Sequence, residues 1–240
     1  MFCQNFFAFD YKAQYHANGW NVYDPEREFN RMRLSDDWRL SDINKSYQFC
    51  DTYPAVLCVP AQITDSQLEL IADFRSKHRI PVLSWIDRSS SRSSSQKCPV
   101  IVRSSQPLCG MAGKRSIHDE NYLEAIACLC ERDTLYIMDA RPYLNALANC
   151  TYGGGFENKT YYPKCRLEFL NIENIHAMRD SLGAHSDKDF FASLENSKWL
   201  EHIRMILDGA VKVVEAIKEG SSCLGNDNFI CFFLNNESLF

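Results

Sequence analysis

From Ser197 to Glu219 apolar residues recur every three to four positions: Trp199, Leu200, Ile203, Ile206, Leu207, Ala210, Val213, Val214 and Ile217. That spacing predicts one long helix with a single buried face. Asn196 or Ser197 can cap it and Gly220 can end it. A face of this width needs a layer to lie on, so the question is what the preceding residues supply.

They supply strands alternating with helices. Ala55 to Val59 is an apolar run bracketed by Pro54 and Pro60, which suits a buried strand. Thr64 and Gln67 then make a capping box for a helix that buries Leu68, Ile71 and Phe74 and ends near Lys77. Pro81 to Ile86 is the next strand. Ser116, with Asp119 at the capping-box position, opens a second helix with Tyr122, Leu123, Ile126, Leu129 and Cys130 on its inner face. Leu135 to Met138 and Leu167 to Leu170 read as strands, and Met178 to Leu182 as part of a short helix. This order predicts one α/β layered domain with a mostly parallel or mixed sheet flanked by helices. Before Tyr53 the chain is aromatic and turn-rich, read as short strands and turns. The serine-dominated stretch Asp87 to Lys97 is read as a mobile surface loop.

With 240 residues, 45% of them hydrophobic, the chain can bury a substantial core. The formal net charge of -5 argues against a generally basic nucleic-acid binder, and no nucleic-acid partner is expected. A local basic patch that meets lipid phosphates would not show in that total. Eleven cysteines would suit a secreted disulfide scaffold in a short chain. Here Cys58, Cys128, Cys130 and Cys231 sit inside apolar runs without paired zinc spacing, so reduced buried thiols are expected. His78, His118 and His202 show no ligand spacing either, and neither metal nor cofactor is expected. The N-terminus has no positive segment of a signal peptide, and nothing reaches transmembrane length. A cytosolic protein is the expectation, with peripheral visits to membranes.

Several stretches together resemble the myotubularin family of phosphoinositide 3-phosphatases. They include Asn18-Gly19-Trp20, Val22-Tyr23-Asp24-Pro25, Cys50-Asp51-Thr52-Tyr53-Pro54 and Arg79-Ile80-Pro81-Val82-Leu83-Ser84-Trp85. Further on come Ser105-Gln106-Pro107-Leu108, Asp139-Ala140-Arg141, Gly153-Gly154-Gly155, Asn174-Ile175-His176 and Trp199-Leu200-Glu201. The resemblance covers about Phe6 to Gly220, leaving residues 221–240 as a divergent tail. It implies the N-terminal part of a protein-tyrosine-phosphatase-like domain, with a mixed sheet incomplete on its C-terminal side. It also implies removal of the 3-phosphate from phosphatidylinositol 3-phosphate and its 3,5-bisphosphate through a phosphocysteine, and peripheral attachment to endosomal membranes. That chemistry needs a thiolate held by backbone N–H groups at a helix N-terminus and an arginine on the phosphoryl oxygens. After Gly220 the sequence gives Ser221-Ser222-Cys223-Leu224-Gly225-Asn226-Asp227-Asn228, with no cysteine followed at the right distance by arginine. The lipid-binding module that usually precedes the domain is not recognised. The chain is therefore expected to lack phosphatase activity. The alternatives are a regulatory partner of an active relative, forming a heteromer with it, and a truncated product without function.

Cys109 and Arg115 do have the nucleophile-to-arginine separation, but Gly110 and Gly113 fall wrongly and Pro107 interrupts the strand that should deliver the cysteine. The resemblance assigns this segment to a connection. It carries over Asn149, Asn174 and Ile175 as contacts to the inositol headgroup. An amide suits that task, since it donates to phosphate and accepts from a hydroxyl. The structural alternative is that Asn174 caps a helix and Asn149 closes a turn. The family places lysines beside the glycine run, where this chain has Cys150, Thr151 and Tyr152. Asp139 and Arg141 stand at a strand end, where open α/β sheets bind ligands, or form an ion pair that fixes the loop. His176 reads as a packed or capping residue. Gly153 to Gly155 lacks dinucleotide spacing and reads as a turn.

Overall fold

The computed structural model describes residues 24–87, 97–183 and 195–226. The chain divides into two units, 1–33 and 34–240. In the first, the described residues hold helix α1, Pro25–Arg31, whose N-terminus is capped by Asp24 accepting from the Arg27 amide. The serine-rich stretch lies outside the described residues apart from its two ends.

The second unit is built on a five-stranded mixed sheet, flanked by helices. Its strands are β3 (Val82–Ile86), β4 (Val100–Ser104), β5 (Leu135–Asp139), β6 (Cys165–Phe169) and β7 (Ser222–Asn226). Their spatial order is β3-β4-β7-β5-β6. β4, β7, β5 and β6 run parallel, and β3 alone is antiparallel. A separate antiparallel pair joins β1 (Trp38–Ser41) and β2 (Leu57–Pro60).

Side chains alternate across a strand, so each row of the sheet faces one helical layer. The row Ile101, Cys223 and Tyr136, with Met138 two residues on, faces a cluster holding Met178, Ala216 and Ile217. These come from α5 (Ile175–Gly183) and α6 (Trp199–Lys218). The opposite row, Val102, Leu224, Ile137 and Leu167, faces α3 (Ile117–Ala127). α2 (Asp65–Ala72) packs against α3 in turn.

Local chemistry explains most element ends. The Thr64–Gln67 capping box forms in full. At α3, Ser116 accepts from the Asp119 amide, but the Asp119 carboxylate turns inward to Arg75 instead of back to the cap, so only half the expected box exists. α2 stops at Ala72 and does not run on to Lys77, since Arg75 is extended (φ -108, ψ 135) and Lys77 and His78 are left-handed (φ 55 and 54).

Two expectations change, one about the long helix and one about the sheet. Leu200, Leu207 and Val214 are 61%, 58% and 49% exposed, although the spacing groups them with the buried face. The apolar arc of α6 is wider than the strip one sheet can cover, and the sheet takes the side carrying Gly209, Ala216 and Ile217. The sheet also keeps its central strand: Ser222–Asn226 fills the middle position, with Cys223 and Leu224 each 1% exposed. The serine that begins that strand is buried without penalty, because Ser222 Oγ accepts from the Val100 amide at 3.1 Å.

The nine described cysteines are all free. Among the described residues, no helix is long and apolar enough to cross a membrane.

Candidate functional site at the carboxyl edge of the sheet

Four strands running the same way place Ser104, Asn226, Asp139 and Phe169 along one edge. Segments leaving that edge carry the candidate residues. Arg141, two residues past the end of β5, donates from Nε to both Asp139 oxygens at 2.9 and 3.2 Å and from Nη2 to Asp139 Oδ2 at 2.5 Å. The Arg141 amide also donates to Asp139 Oδ1 at 3.0 Å. Both side chains are buried, so the pair fixes the loop as one unit.

Arg141 reaches further. Nη2 donates to the Gly155 carbonyl at 2.9 Å, and Nη1 donates to Gln106 Oε1 at 2.5 Å. The same Gln106 oxygen accepts from the Gly155 amide at 3.3 Å and from Asn149 Nδ2 at 3.4 Å. Asn149 lies in the last turn of α4, Tyr143–Cys150. The structure thus brings together Asp139, Arg141 and Asn149 through Gln106 and the glycine run.

Gly154 is required by space. A Cβ there would lie 2.6 Å from Gln106 Oε1, closer than any real contact. Gly153 is required by conformation, with φ of 89. Gly110 donates its amide to the Gly154 carbonyl at 2.8 Å, tying the loop after β4 to the glycine run.

Asn174 and Ile175 stand apart from this network. Asn174 caps α5, its Oδ1 accepting from the amides of His176 and Ala177 at 2.9 and 3.1 Å. Ile175, the first residue of α5, is exposed. The capping and ion-pair readings of Asn174 and of Asp139 with Arg141 therefore hold as structure.

The Cys109–Arg115 pair is not arranged as a phosphate loop. Cys109 Sγ lies 3.6 Å from the Phe156 carbonyl as donor, and burial pushes the thiol up to about 12, with the Glu157 carboxylate adding to the rise. Arg115 turns away from it, donating to Glu120 at 2.9 and 2.6 Å and stacking over Tyr161 at 4.2 Å. A thiol held neutral, without a free guanidinium beside it, cannot serve as a phosphoryl acceptor at neutral pH. Beside it opens a cavity of about 600 Å³, lined by Phe74, Tyr143, Phe156 and Phe169 with Lys114 and Lys159 at its wall.

Under this cavity lies a buried ionic cluster. Arg75, with no exposed side-chain surface, donates twice to Asp119 at 2.7 Å, to Glu157 at 2.6 Å and to the Ser105 carbonyl at 2.9 Å. Tyr162 adds a bond to Asp119 at 2.8 Å. Burial lowers and the two carboxylates raise the Arg75 pKa, which ends well above its ordinary value. This cluster anchors the segments on either side of Gln106 and the glycine run.

Linear reading did not assign a role to Gln106, nor see that Gly154 makes room for it. Both lie in stretches that carry the family resemblance, but the 47 intervening residues leave no spacing signal between them.

The sequence model of the myotubularin-like phosphatase domain matches residues 6–226, which includes the central strand. The chain is 44% identical over 227 residues to myotubularin of Xenopus laevis, covering 90% of this chain and 36% of that relative. It is 44% identical over 227 residues to phosphatidylinositol-3,5-bisphosphate 3-phosphatase MTMR2 of Gallus gallus, covering 90% of this chain and 38% of that one. For MTMR2 of Mus musculus the identity is 42%, with 90% and 34% covered. The chain thus spans less than two-fifths of the length of these relatives. With its mixed sheet, its carboxyl-edge loops and this match across most of its length, the chain belongs to the myotubularin-like phosphatase family.

Proposed function

We propose that the carboxyl edge, from Gln106 through Arg141 and Asn149 to Asn174 and Ile175, is the headgroup-facing side of a phosphoinositide 3-phosphatase domain. The substrates are phosphatidylinositol 3-phosphate and its 3,5-bisphosphate, met at endosomal membranes. The observation that carries the reading is the Gln106 junction, where Arg141, Gly155 and Asn149 converge on one oxygen. The Asn149 bond is the longest of the three, so its amide is the donor most readily exchanged for a phosphate or ring oxygen. Asp139 and Arg141 act as positioning residues, since each already has its partners. Ile175 stands at a helix N-terminus, where the dipole favours an anion.

By itself this chain leaves the phosphate in place. The one cysteine with an arginine at the required distance is Cys109, and its thiol and Arg115 are committed elsewhere. Residues 227–240 contain Cys231 and no arginine. Two measurements test the two halves. Calorimetric titration with inositol 1,3-bisphosphate should saturate, and Asn149→Ala should weaken it about tenfold, the loss of one good hydrogen bond. Absence of saturation overturns the headgroup reading. Phosphate release from phosphatidylinositol 3-phosphate vesicles by the purified chain overturns the inactivity.

A second reading, a non-enzymatic partner of an active relative, is favoured by the outward stripe of α6. Leu200, Leu207, Val211 and Val214 are all exposed there and lie among charges of both signs, Glu201, Arg204, Asp208 and Glu215. Co-purification with such a relative, lost on Leu207→Asp, tests it.

A further inference from the structure

α4 is amphipathic in the wrong direction for a helix whose outer face meets only water. Ala146 faces inward and is fully buried, whereas Leu144 is 73% and Leu147 43% exposed. The eight residues of α4 include no charged side chain. The same outward surface continues into Tyr152, 90% exposed just past the helix, and Met111, 74% exposed on the loop bonded to the glycine run. Leu144 and Leu147 are three residues apart in the helix, so they share one face, and Tyr152 lies just past its end.

We propose that this face is a docking surface for an anionic lipid bilayer, with Leu144, Leu147, Tyr152 and Met111 entering the interface and Lys114 and Lys159 meeting its phosphates. Charge complementarity selects the bilayer. Lys114 and Lys159 line the cavity that also holds Tyr143 of α4, so they stand beside the apolar face. Among the described residues neither has an ion-pair partner. The nearby carboxylates are taken, Glu157 and Asp119 by Arg75 and Glu120 by Arg115. A neutral helix with leucines outward, a tyrosine at its margin and lysines behind suits a headgroup boundary. The α6 stripe, interleaved with acidic and basic residues, does not share this pattern.

The inference rests on the headgroup reading of the carboxyl edge for one point only: a chain held by α4 would have Asn149, on the same helix, close to the lipid surface. No contact between the apolar face and the inositol ring is needed. Docking by α4 would also offset the missing lysines beside the glycine run, since Lys114 and Lys159 supply positive charge from neighbouring loops.

The test is flotation of the purified chain with vesicles of phosphatidylcholine alone, with added phosphatidylserine, and with added phosphatidylserine and phosphatidylinositol 3-phosphate. Binding is expected to the phosphatidylserine vesicles and to be weak on phosphatidylcholine alone. Leu144→Ser with Leu147→Ser should lower the partition by about tenfold or more, as should Lys114→Ala with Lys159→Ala. All four positions are exposed, so the melting curve of each variant should match that of the parent. Asn149→Ala should leave phosphatidylserine binding intact and remove only the gain from phosphatidylinositol 3-phosphate, which separates failure of the headgroup reading from failure of this one. Phosphatidylserine binding that survives the double serine variant overturns the proposal, as does a folded parent that floats with no vesicle. Self-association abolished by the same two substitutions, without lipid binding, assigns the face to protein contact and likewise overturns it.

Discussion

Gly154→Ala is the substitution whose cost follows most directly from the geometry. The new methyl would stand 2.6 Å from Gln106 Oε1 and 2.8 Å from its Cδ and Nε2. The amide is the end of a flexible side chain, so it will swing away before the backbone moves, and every bond to Oε1 goes with it. One of these is charge-assisted, from Arg141 at 2.5 Å, and contributes about 1.5–3 kcal/mol. The two longer ones, from the Gly155 amide and Asn149, together contribute about 1 kcal/mol. The expected destabilisation is therefore about 2.5–4 kcal/mol, a large share of a total near 5–15 kcal/mol. Gln106→Ala removes the same three acceptor bonds and should cost a similar amount. In the double variant the alanine methyl occupies space the glutamine has left, so little is added to the cost of Gln106→Ala alone. Urea unfolding followed by tryptophan fluorescence would give all four corners of the cycle, with an expected coupling of about 2.5–4 kcal/mol, nearly the whole cost of Gly154→Ala. Additive effects, or a single Gly154→Ala within about 0.5 kcal/mol of the parent, would refute the claim that the glycine exists to seat Gln106.

Arg75→Met should destabilise by about 3–5 kcal/mol at neutral pH, because Asp119 and Glu157 are left buried without their cation. The deficit should narrow as pH falls. Glu157 already has its pKa raised by burial, and without Arg75 to oppose that rise, its stability contribution is present at low pH and lost as pH increases through the folded value. Urea midpoints at two pH values check both the size and the sign. Cys109 should resist iodoacetamide at pH 8 in the folded chain and react readily in urea, since burial lifts its thiol to about 12; rapid labelling of the folded chain would restore it as a nucleophile candidate. Asn174→Ala should cost about 1 kcal/mol through loss of the α5 cap, and Asn174→Ser, which keeps a capping oxygen, should restore most of it.

Elements announced by their own residues were legible in sequence. The Thr64–Gln67 box, the Ser116 cap and the β-branched runs of β2, β3 and β5 each carry a local signal, and the alternation of types gave the layered sheet. β4 was missed although Pro99 opens it, because its apolar run is only Val100-Ile101-Val102, set between the serine-rich stretch and the polar Arg103-Ser104-Ser105-Gln106. α4 was missed because Asn145, Asn149 and the glycines after it read as a polar passage, and because its leucines face outward. β7 was missed for a different reason: Ser-Cys-Leu-Gly-Asn has little strand propensity of its own and is a strand because two neighbours flank it. At the site, the ion pair of Asp139 and Arg141 and the capping role of Asn174 could be read from short spacings. The convergence of Gln106, Asn149 and Gly155 could not, since it depends on loops that meet only when β4 and β5 lie on either side of β7.

In the proposed function the carboxyl edge is the side that meets a 3-phosphorylated inositol. The most direct test is an amide chemical-shift map of the nitrogen-15-labelled chain during titration with inositol 1,3-bisphosphate. Shifts concentrated at Gln106, Asn149, Gly155 and the first turn of α5, saturating together, are the predicted result. Shifts confined to other surfaces, or none at concentrations where inositol 1-phosphate is equally silent, would contradict it.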